Sequence, residues 1–331
     1  MVNLIVTENE AGQRLDRFLK KYLKRASLSM IYKMIRKDIK LNGKRAKEDV
    51  MLSVGDTLSI YLTEERLQEL TAAALKKTAR RQFKIAYEDD NLLVVEKPWG
   101  LLTHGDAHEK KNTLANQVCG YLQEQGTYQP SRERTFTPSP INRLDRNTTG
   151  LVMFGKNAET LRLMTRLIRE RDYIHKYYRT IVAGNFQKMM VFRDRLEKDE
   201  SRNQSVVVGA SEGREAVTNV WPLVSGKQFS LVEVGLVTGR THQIRVHLSH
   251  AGYPLAGDAK YGKKSVNERV RRELGLTTQL LHACRLEFEN MPPPFTYLNG
   301  KKIEAEVPEA FRRAEQKLIQ KNDQSGRKRG D

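Results

Sequence analysis

From Gly12 onward, Leu15, Phe18, Leu19 and Tyr22 recur at i, i+3, i+4 and i+7, while Arg17, Lys20, Lys21 and Lys24 occupy the positions between them. That spacing predicts an amphipathic helix with one packed face and one basic face. Ser27 or Ser29 can cap a second short helix that turns Ile31, Met34 and Ile35 inward and leaves Lys33, Arg36 and Lys37 outside. Ile39-Lys40-Leu41, the turn pair Asn42-Gly43 and Lys44-Arg45 read as a small hairpin. Val54-Gly55-Asp56 then turns the chain into an alternating strand, Thr57 to Leu62. These elements predict a compact first unit over residues 1–62.

Residues 63–82, rich in Glu, Ala, Lys and Arg, read as a linker with helical tendency. At Phe83 the texture changes to strand patterns, Ile85-Ala86-Tyr87 and Leu92 to Lys97, joined by the acidic turn Glu88-Asp89-Asp90-Asn91. Leu114, Val118, Tyr121 and Leu122 trace a helix, and a polar, Pro-containing loop leads from Gln123 to Ser139. The apolar run Leu151-Val152-Met153-Phe154 predicts a strand, residues 158–170 a helix, and Lys176 to Gly184 a further strand on which adjacent Tyr177 and Tyr178 must face opposite ways. The strand Phe229 to Leu236 feeds the densest polar segment, Thr238 to Leu248. The second unit is expected over 83–310, followed by a basic, largely disordered tail over 311–331.

Charge narrows the class of partner. With 58 Lys and Arg against 40 Asp and Glu, the 331-residue chain carries a formal charge of +18. A surface of that sign suits phosphate backbones, so nucleic acid is the expected partner. No apolar run reaches the roughly 20 residues that span a bilayer, and the first residues do not read as a signal peptide, so a cytoplasmic address without membrane contact is expected. Cys119 and Cys284 are too few for a disulfide framework and read as reduced, buried thiols. His242, His247 and His250 lack the carboxylate or thiolate neighbours of familiar metal motifs, so they read as hydrogen-bonding scaffold and no metal is expected. Gly257 to Gly262 lacks the spacing and Lys-Ser/Thr ending of a phosphate loop, which argues against a nucleotide cofactor.

One stretch stands apart: Asn142-Arg143-Leu144-Asp145-Arg146-Asn147-Thr148-Thr149-Gly150, which runs directly into the apolar strand. It sets a carboxylate between two guanidinium groups, whose positive charge favours the ionised form that a nucleophile or base needs. An Arg-flanked Asp is more often a structural ion pair, so this stretch alone does not decide between the two.

Four further segments change that balance. Residues 142–150, with Gly239-Arg240-Thr241-His242-Gln243-Ile244-Arg245-Val246-His247 and Gly252 to Asp258, resemble the RluA-type pseudouridine synthases. Lys97-Pro98 with His104-Gly105, and Lys176-Tyr177-Tyr178, match the same family. The front unit, through Ala11 to Asp16, Ser29-Met30-Ile31, Ile39 to Lys44 and Val54-Gly55-Asp56, is similar to the RNA-binding module first described in ribosomal protein S-four. Together these point to the subgroup acting on large-subunit ribosomal RNA.

The resemblance implies an α+β fold. The catalytic domain would be built on a mixed, mainly antiparallel sheet with flanking helices, beside a small α/β-hairpin RNA-binding domain. It implies Asp145 as the catalytic aspartate and Tyr178 as the ring that stacks on the uracil and takes the C5 proton. Arg245, or its neighbour Arg240, would be the partner of the carboxylate. Arg143 would help hold the displaced strand, and Leu281 would furnish an apolar pocket wall. It implies no cofactor, an RNA substrate that is ribosomal or transfer RNA, and a monomer. Asn142 and Thr149 depart from the family's usual His and Ser. Two rival readings are a non-catalytic ribosome-assembly factor that keeps the fold, and an RNA hydrolase using the same Asp.

Overall fold

The computed structural model describes residues 1–72, 79–130 and 132–320. The first unit contains β1 (Val2–Ile5), α1 (Leu15–Tyr22), α2 (Leu28–Lys37), β2 (Ile39–Leu41), β3 (Thr57–Ile60) and α3 (Glu64–Thr71). Its three strands form one antiparallel sheet in the order β1-β3-β2. Leu15, Phe18 and Leu19 from α1 and Ile31, Met34 and Ile35 from α2 pack on that sheet, as their periodicity requires. Ser27 is the cap of α2, its hydroxyl accepting from the Met30 N–H at 3.2 Å.

Residues 63–71 are not a linker. Thr63 caps α3, and Leu67 and Leu70, three positions apart on one helical face, are buried in the same cluster as Phe18 and Ile35. Two leucines were enough to seat the helix once a neighbouring apolar surface existed. The middle of the expected linker, residues 73–78, lies outside the described residues.

The second unit runs through β4 (Lys84–Glu88), β5 (Leu92–Lys97), α4 (Leu114–Glu124), β6 (Ser139–Pro140), β7 (Thr149–Gly155), α5 (Ala158–Glu170) and β8 (Ile174–Ala183). It continues with β9 (Met190–Asp199), β10 (Gln204–Val208), β11 (Arg214–Val224), β12 (Phe229–Leu236), α6 (Gln243–His250), α7 (Lys264–Leu274), β13 (Leu281–Phe288), β14 (Lys302–Glu304) and α8 (Glu309–Glu315). Eleven strands make one sheet whose main path is β10-β9-β11-β12-β8-β13-β7-β5-β4. Its described ladders are antiparallel except β7 with β13, which run parallel through Thr149 to His282 and Gly150 to Ala283. Gly150 makes that junction possible: its φ is +106°, and a Cβ there would stand 2.1 Å from the Ala283 carbonyl oxygen.

β7 is buried on both faces, which explains its unbroken apolar run. Val152 and Phe154 join a core with α4, Tyr178 and α6, while Leu151 and Met153 join another with Met164 and Leu167 of α5. The polar segment 238–248 leads into α6 and supplies its first six residues, with Ile244 and Leu248 in the first of these cores. Cys284 is buried, whereas Cys119 is only half-buried, because it sits on the side of α4 where Sγ meets the Pro138 carbonyl at 3.4 Å.

The stretch expected as a disordered tail begins in an ordered way. Phe311, Ala314, Leu318 and Ile319 are buried against Ile181, Phe229 and Leu231. Helical spacing of these few apolar side chains gives the segment a seat that its polar composition hid. Residues 321–331 lie outside the described residues.

The two units touch through residues 5–13. The Ala158 N–H donates to Asn9 Oδ1 at 3.1 Å, Arg162 Nη1 to the Ala11 carbonyl at 3.0 Å and Arg134 Nη1 to the Ile5 carbonyl at 3.0 Å. No helix among the described residues is long and apolar enough to cross a membrane.

Candidate active site

Asp145 sits in the loop before β7, and the loop is gripped on both sides of it. The Thr103 hydroxyl, almost wholly buried, donates to the Leu144 carbonyl at 2.9 Å and accepts from the Leu144 N–H at 3.2 Å. Lys97 Nζ donates to the carbonyls of Arg146, Leu101 and Pro98 at 2.8, 2.7 and 3.0 Å. Burial pushes the Lys97 amine down to about 7, while the charge of Asp145 acts the other way. Three carbonyl acceptors match the three N–H donors of the ammonium, so this geometry favours the charged form. The peptides on either side of Asp145 are thus held by the segment 97–103, and the Thr148 N–H closes a turn on the Asp145 carbonyl at 3.1 Å.

Asn142 is turned onto the strand it precedes. Its Nδ2 donates to the Leu151 carbonyl at 3.2 Å, and its Oδ1 accepts from the Met153 N–H at 2.8 Å. The amide therefore acts as an extra strand residue beside β7. Thr149 Oγ1 lies 2.8 Å from His282 Nδ1, across the parallel junction.

Arg245, on α6 and one hundred residues further on, reaches the carboxylate: its Nη1 donates to Asp145 Oδ2 at 3.0 Å. Its other side is locked to Asp258, with Nε to Oδ2 at 2.7 Å and Nη2 to Oδ1 at 2.8 Å. Asp258 is fully buried, and its Oδ1 also accepts from the N–H groups of Lys260 and Tyr261. Burial alone would lower the pKa of Arg245, but the bonds and charges of Asp258 and the charge of Asp145 outweigh it and raise it. The arginine is a fixed cation whose Nη1 is left for Asp145. Arg240 points elsewhere, its Nε donating to the Glu215 carbonyl at 3.0 Å.

His242 is the cap residue of α6 and adopts a left-handed backbone, φ +54°. Its Nε2 is 3.7 Å from Asp145 Oδ2, and its Nδ1 is 2.8 Å from the Tyr261 hydroxyl, which in turn accepts from the Ser205 N–H at 2.7 Å. Burial, as the main cause, pulls the imidazole below its ordinary range. Tyr261 also lies under the Arg245 guanidinium, 5.0 Å from ring centre to cation.

Tyr178 and Tyr177 do face opposite ways. Tyr178 is buried in the cluster that contains Leu281, Leu144, Val152 and Ile244. Burial first, and the charge of Asp145 second, push its phenol well above the ordinary value, so it stays neutral at physiological pH. Tyr177, on the other face, packs on Trp221 and under Arg285, whose guanidinium is 4.1 Å from its ring centre. Arg143 is exposed on the same loop as Asp145.

The fold thus gathers Asp145, Arg245, Tyr178 and Leu281 from four distant parts of the chain, with Arg143 at the rim. Asp258, His242, Tyr261, Thr103 and Lys97 complete the surroundings. Some of these lay inside motif segments, but no pattern in the sequence paired them with Asp145. Chemically the site is a half-exposed carboxylate held by a fixed cation, next to a buried, neutral aromatic ring and an apolar wall. It can present a carboxylate to an electron-poor carbon of a planar ring held against Tyr178.

Comparison with known proteins bears on what that ring is. Residues 91–250 match the family model described as RNA pseudouridylate synthase. The ribosomal large subunit pseudouridine synthase C of Escherichia coli (strain K12) is 33% identical over 319 residues, covering 95% of each chain. The protein of the same name from Vibrio vulnificus (strain CMCP6) is 34% identical over 288 residues, covering 86% of this chain and 87% of its own. Among solved structures, Human RNA Pseudouridylate Synthase Domain Containing 4 aligns with a TM-score of 0.55 at 23% identity, over 71% of this chain and 92% of its own, a likeness of fold. With relatives matched at this level across nearly their whole length, and with motif residues 100 positions apart converging on one carboxylate, the chain belongs to the RluA-type family of RNA pseudouridine synthases.

Proposed function

We propose that this enzyme converts uridines of large-subunit ribosomal RNA to pseudouridine, with Asp145 as the reacting carboxylate. The observation that carries the reading is Asp145 held by the Asp258-anchored Arg245 beside buried Tyr178. The names of the matched relatives support the ribosomal substrate, and the formal charge of +18 supports an RNA partner.

The target base must first leave its stack, at a cost of a few kcal/mol. In this reading Arg143, exposed on the loop that carries Asp145, holds the displaced strand, and Tyr178 with Leu281 gives the extruded uracil a ring and an apolar wall. Asp145 attacks the nucleoside or assists loss of uracil from the ribose. The N1 to C1′ glycosidic bond breaks, the uracil turns while held, C5 bonds to C1′ as any bond from Asp145 to the nucleoside is released, and the C5 proton leaves for solvent while N1 takes one up. The neutral phenol of Tyr178 fits a stacking group that relays this proton, taking it only as its own hydroxyl proton is passed on. The front unit, extended by α3 to about residue 71, is the RNA-gripping module of this reading. The enzyme works in the cytoplasm and as a monomer, points that cell fractionation and sizing in solution address.

The test is tritium release from large-subunit ribosomal RNA transcribed with 5-tritiated uridine, using wild type and Asp145→Asn. Release by the wild type that disappears in the variant supports the reading. No release by the wild type, with tight RNA binding retained, sinks it.

A further inference from the structure

Trp99 follows the lysine that grips the Asp145 loop, yet its indole is 60% exposed, the most of any aromatic side chain among the described residues. A single exposed apolar side chain is ordinary on a protein surface, so Trp99 draws attention by where it stands. Trp99 is also fixed: its Nε1 donates to Thr278 Oγ1 at 2.9 Å, so the surface it offers to solvent is the hydrocarbon face of the ring. It walls a cavity of about 480 Å³ whose lining includes Leu101, Gln82, Asn112 and Arg146. That volume falls in the range of roughly 300–1,000 Å³ that accommodates small organic ligands.

The chemistry of the lining specifies the ligand. Gln117 Nε2 donates to Gln82 Oε1 at 2.9 Å and to Asn112 Oδ1 at 2.8 Å. Each amide oxygen keeps a second lone pair, and the N–H2 groups of Gln82 and Asn112 are the donors this lining can offer. Glu109 also lines it, its Oε1 accepting from the N–H groups of both Lys111 and Asn112. Arg146 adds a cation at the mouth; its bond to Asp106, at 3.1 Å, is an exposed pair of the weak kind that phosphate displaces. An aromatic face, N–H donors at the edge and a guanidinium beside them match a nucleobase with carbonyl or ring-nitrogen acceptors, attached to a phosphodiester.

Position ties the cavity to the reaction, since Arg146 is the residue after Asp145. We propose that Trp99 and this cavity capture an unstacked base of the RNA strand next to the target uridine. The inference rests on the reading of the chain as an RNA isomerase and adds a second base-holding site to it. That site helps to keep the strand open while Asp145 acts, because a flanking base stacked on Trp99 cannot close back over the vacated position.

The chain has two tryptophans, so Trp221→Phe leaves Trp99 as the sole indole reporter. In that variant, titration with unmodified large-subunit ribosomal RNA transcript is expected to quench Trp99 emission to a plateau. Trp99→Ala is expected to raise KM for tritium release roughly tenfold, in line with the loss of one aromatic–base stack, with kcat within about twofold. Trp99→Phe keeps a stacking face and is expected to stay within about threefold of wild type in both constants. Unchanged Trp99 emission at saturating RNA, or a Trp99→Ala variant with the wild-type KM, overturns the base site while the isomerase reading stands. Quenching without tritium release in the wild type removes the isomerase reading, and with it the base site as a holder of the target's neighbour, leaving Trp99 only as an RNA contact.

Discussion

Asp258 holds Arg245 through two bonds, Nε to Oδ2 at 2.7 Å and Nη2 to Oδ1 at 2.8 Å, and in doing so aims the third at Asp145. Neither residue of this pair is free to turn: Asp258 is 0% exposed and Arg245 4%. Breaking a buried ion pair from one side costs about 3–5 kcal/mol, because the remaining charge is left without its partner. Asp258→Asn is expected to lower the free energy of unfolding by an amount of that order. It should also cut kcat for tritium release more than tenfold, about 1.4 kcal/mol of lost transition-state stabilisation. Urea unfolding and steady-state kinetics on the same preparations check both. A variant with lowered stability and intact kcat would show that Asp258 serves packing alone.

Tyr178 separates into a ring and a hydroxyl. Tyr178→Phe keeps the face proposed to carry the uracil and should leave KM within about threefold, while kcat falls by 10² or more if the hydroxyl relays the proton. Tyr178→Leu loses the ring and should raise KM as well. Because burial and the charge of Asp145 hold the phenol well above its ordinary range, the rate profile of the wild type should show no inflection from this group up to about pH 10.

Asn142 is where this chain departs from the family's usual histidine, and its amide is committed to the backbone of β7. Asn142→Ala leaves the Leu151 carbonyl and the Met153 N–H without that partner, which should cost about 2 kcal/mol in unfolding free energy. Affinity for RNA should not change. A fall in affinity at unchanged stability would mean that the side chain meets RNA instead.

His282 supplies a pH signature. Burial pushes its imidazole down to about 4, against an ordinary value near 6.5, so between these limits the unfolded chain binds more protons than the folded one. Its contribution is therefore fully present above about pH 6.5 and is lost as the pH falls toward 4, amounting to about 2 kcal/mol by pH 5. Wild type should lose that much more stability than His282→Gln between pH 7.5 and pH 5. Equal losses in the two proteins would remove this residue as the cause.

The sequence by itself determined the elements whose burial repeats along one segment. Leu15, Phe18 and Leu19 declared a helix, and Leu151 to Phe154 a buried strand, because periodicity reports which positions meet a core. Three motif segments in order, read through the family resemblance, pointed to Asp145, Tyr178 and either Arg245 or Arg240, and it is Arg245 that the fold brings to the carboxylate. Short segments with few apolar residues escaped. Leu67 and Leu70 in α3, and Phe311 with Leu318 near the end, became ordered only because a surface built by distant residues was there to receive them. α6 was hidden in a polar segment because Gln243, Arg245 and His247 are buried by pairing with distant groups rather than by being apolar.

Tertiary structure alone decided how the carboxylate is held. Thr103 and Lys97 grip its loop, Asp258 orients its arginine, His242 approaches through a left-handed backbone, and Asn142 braces the strand behind it. Hydrogen bonds between groups 40 or 100 residues apart leave no periodic trace, since they depend on which strands the sheet brings side by side. In this chain the parallel step between β7 and β13, opened by Gly150, helps set that arrangement.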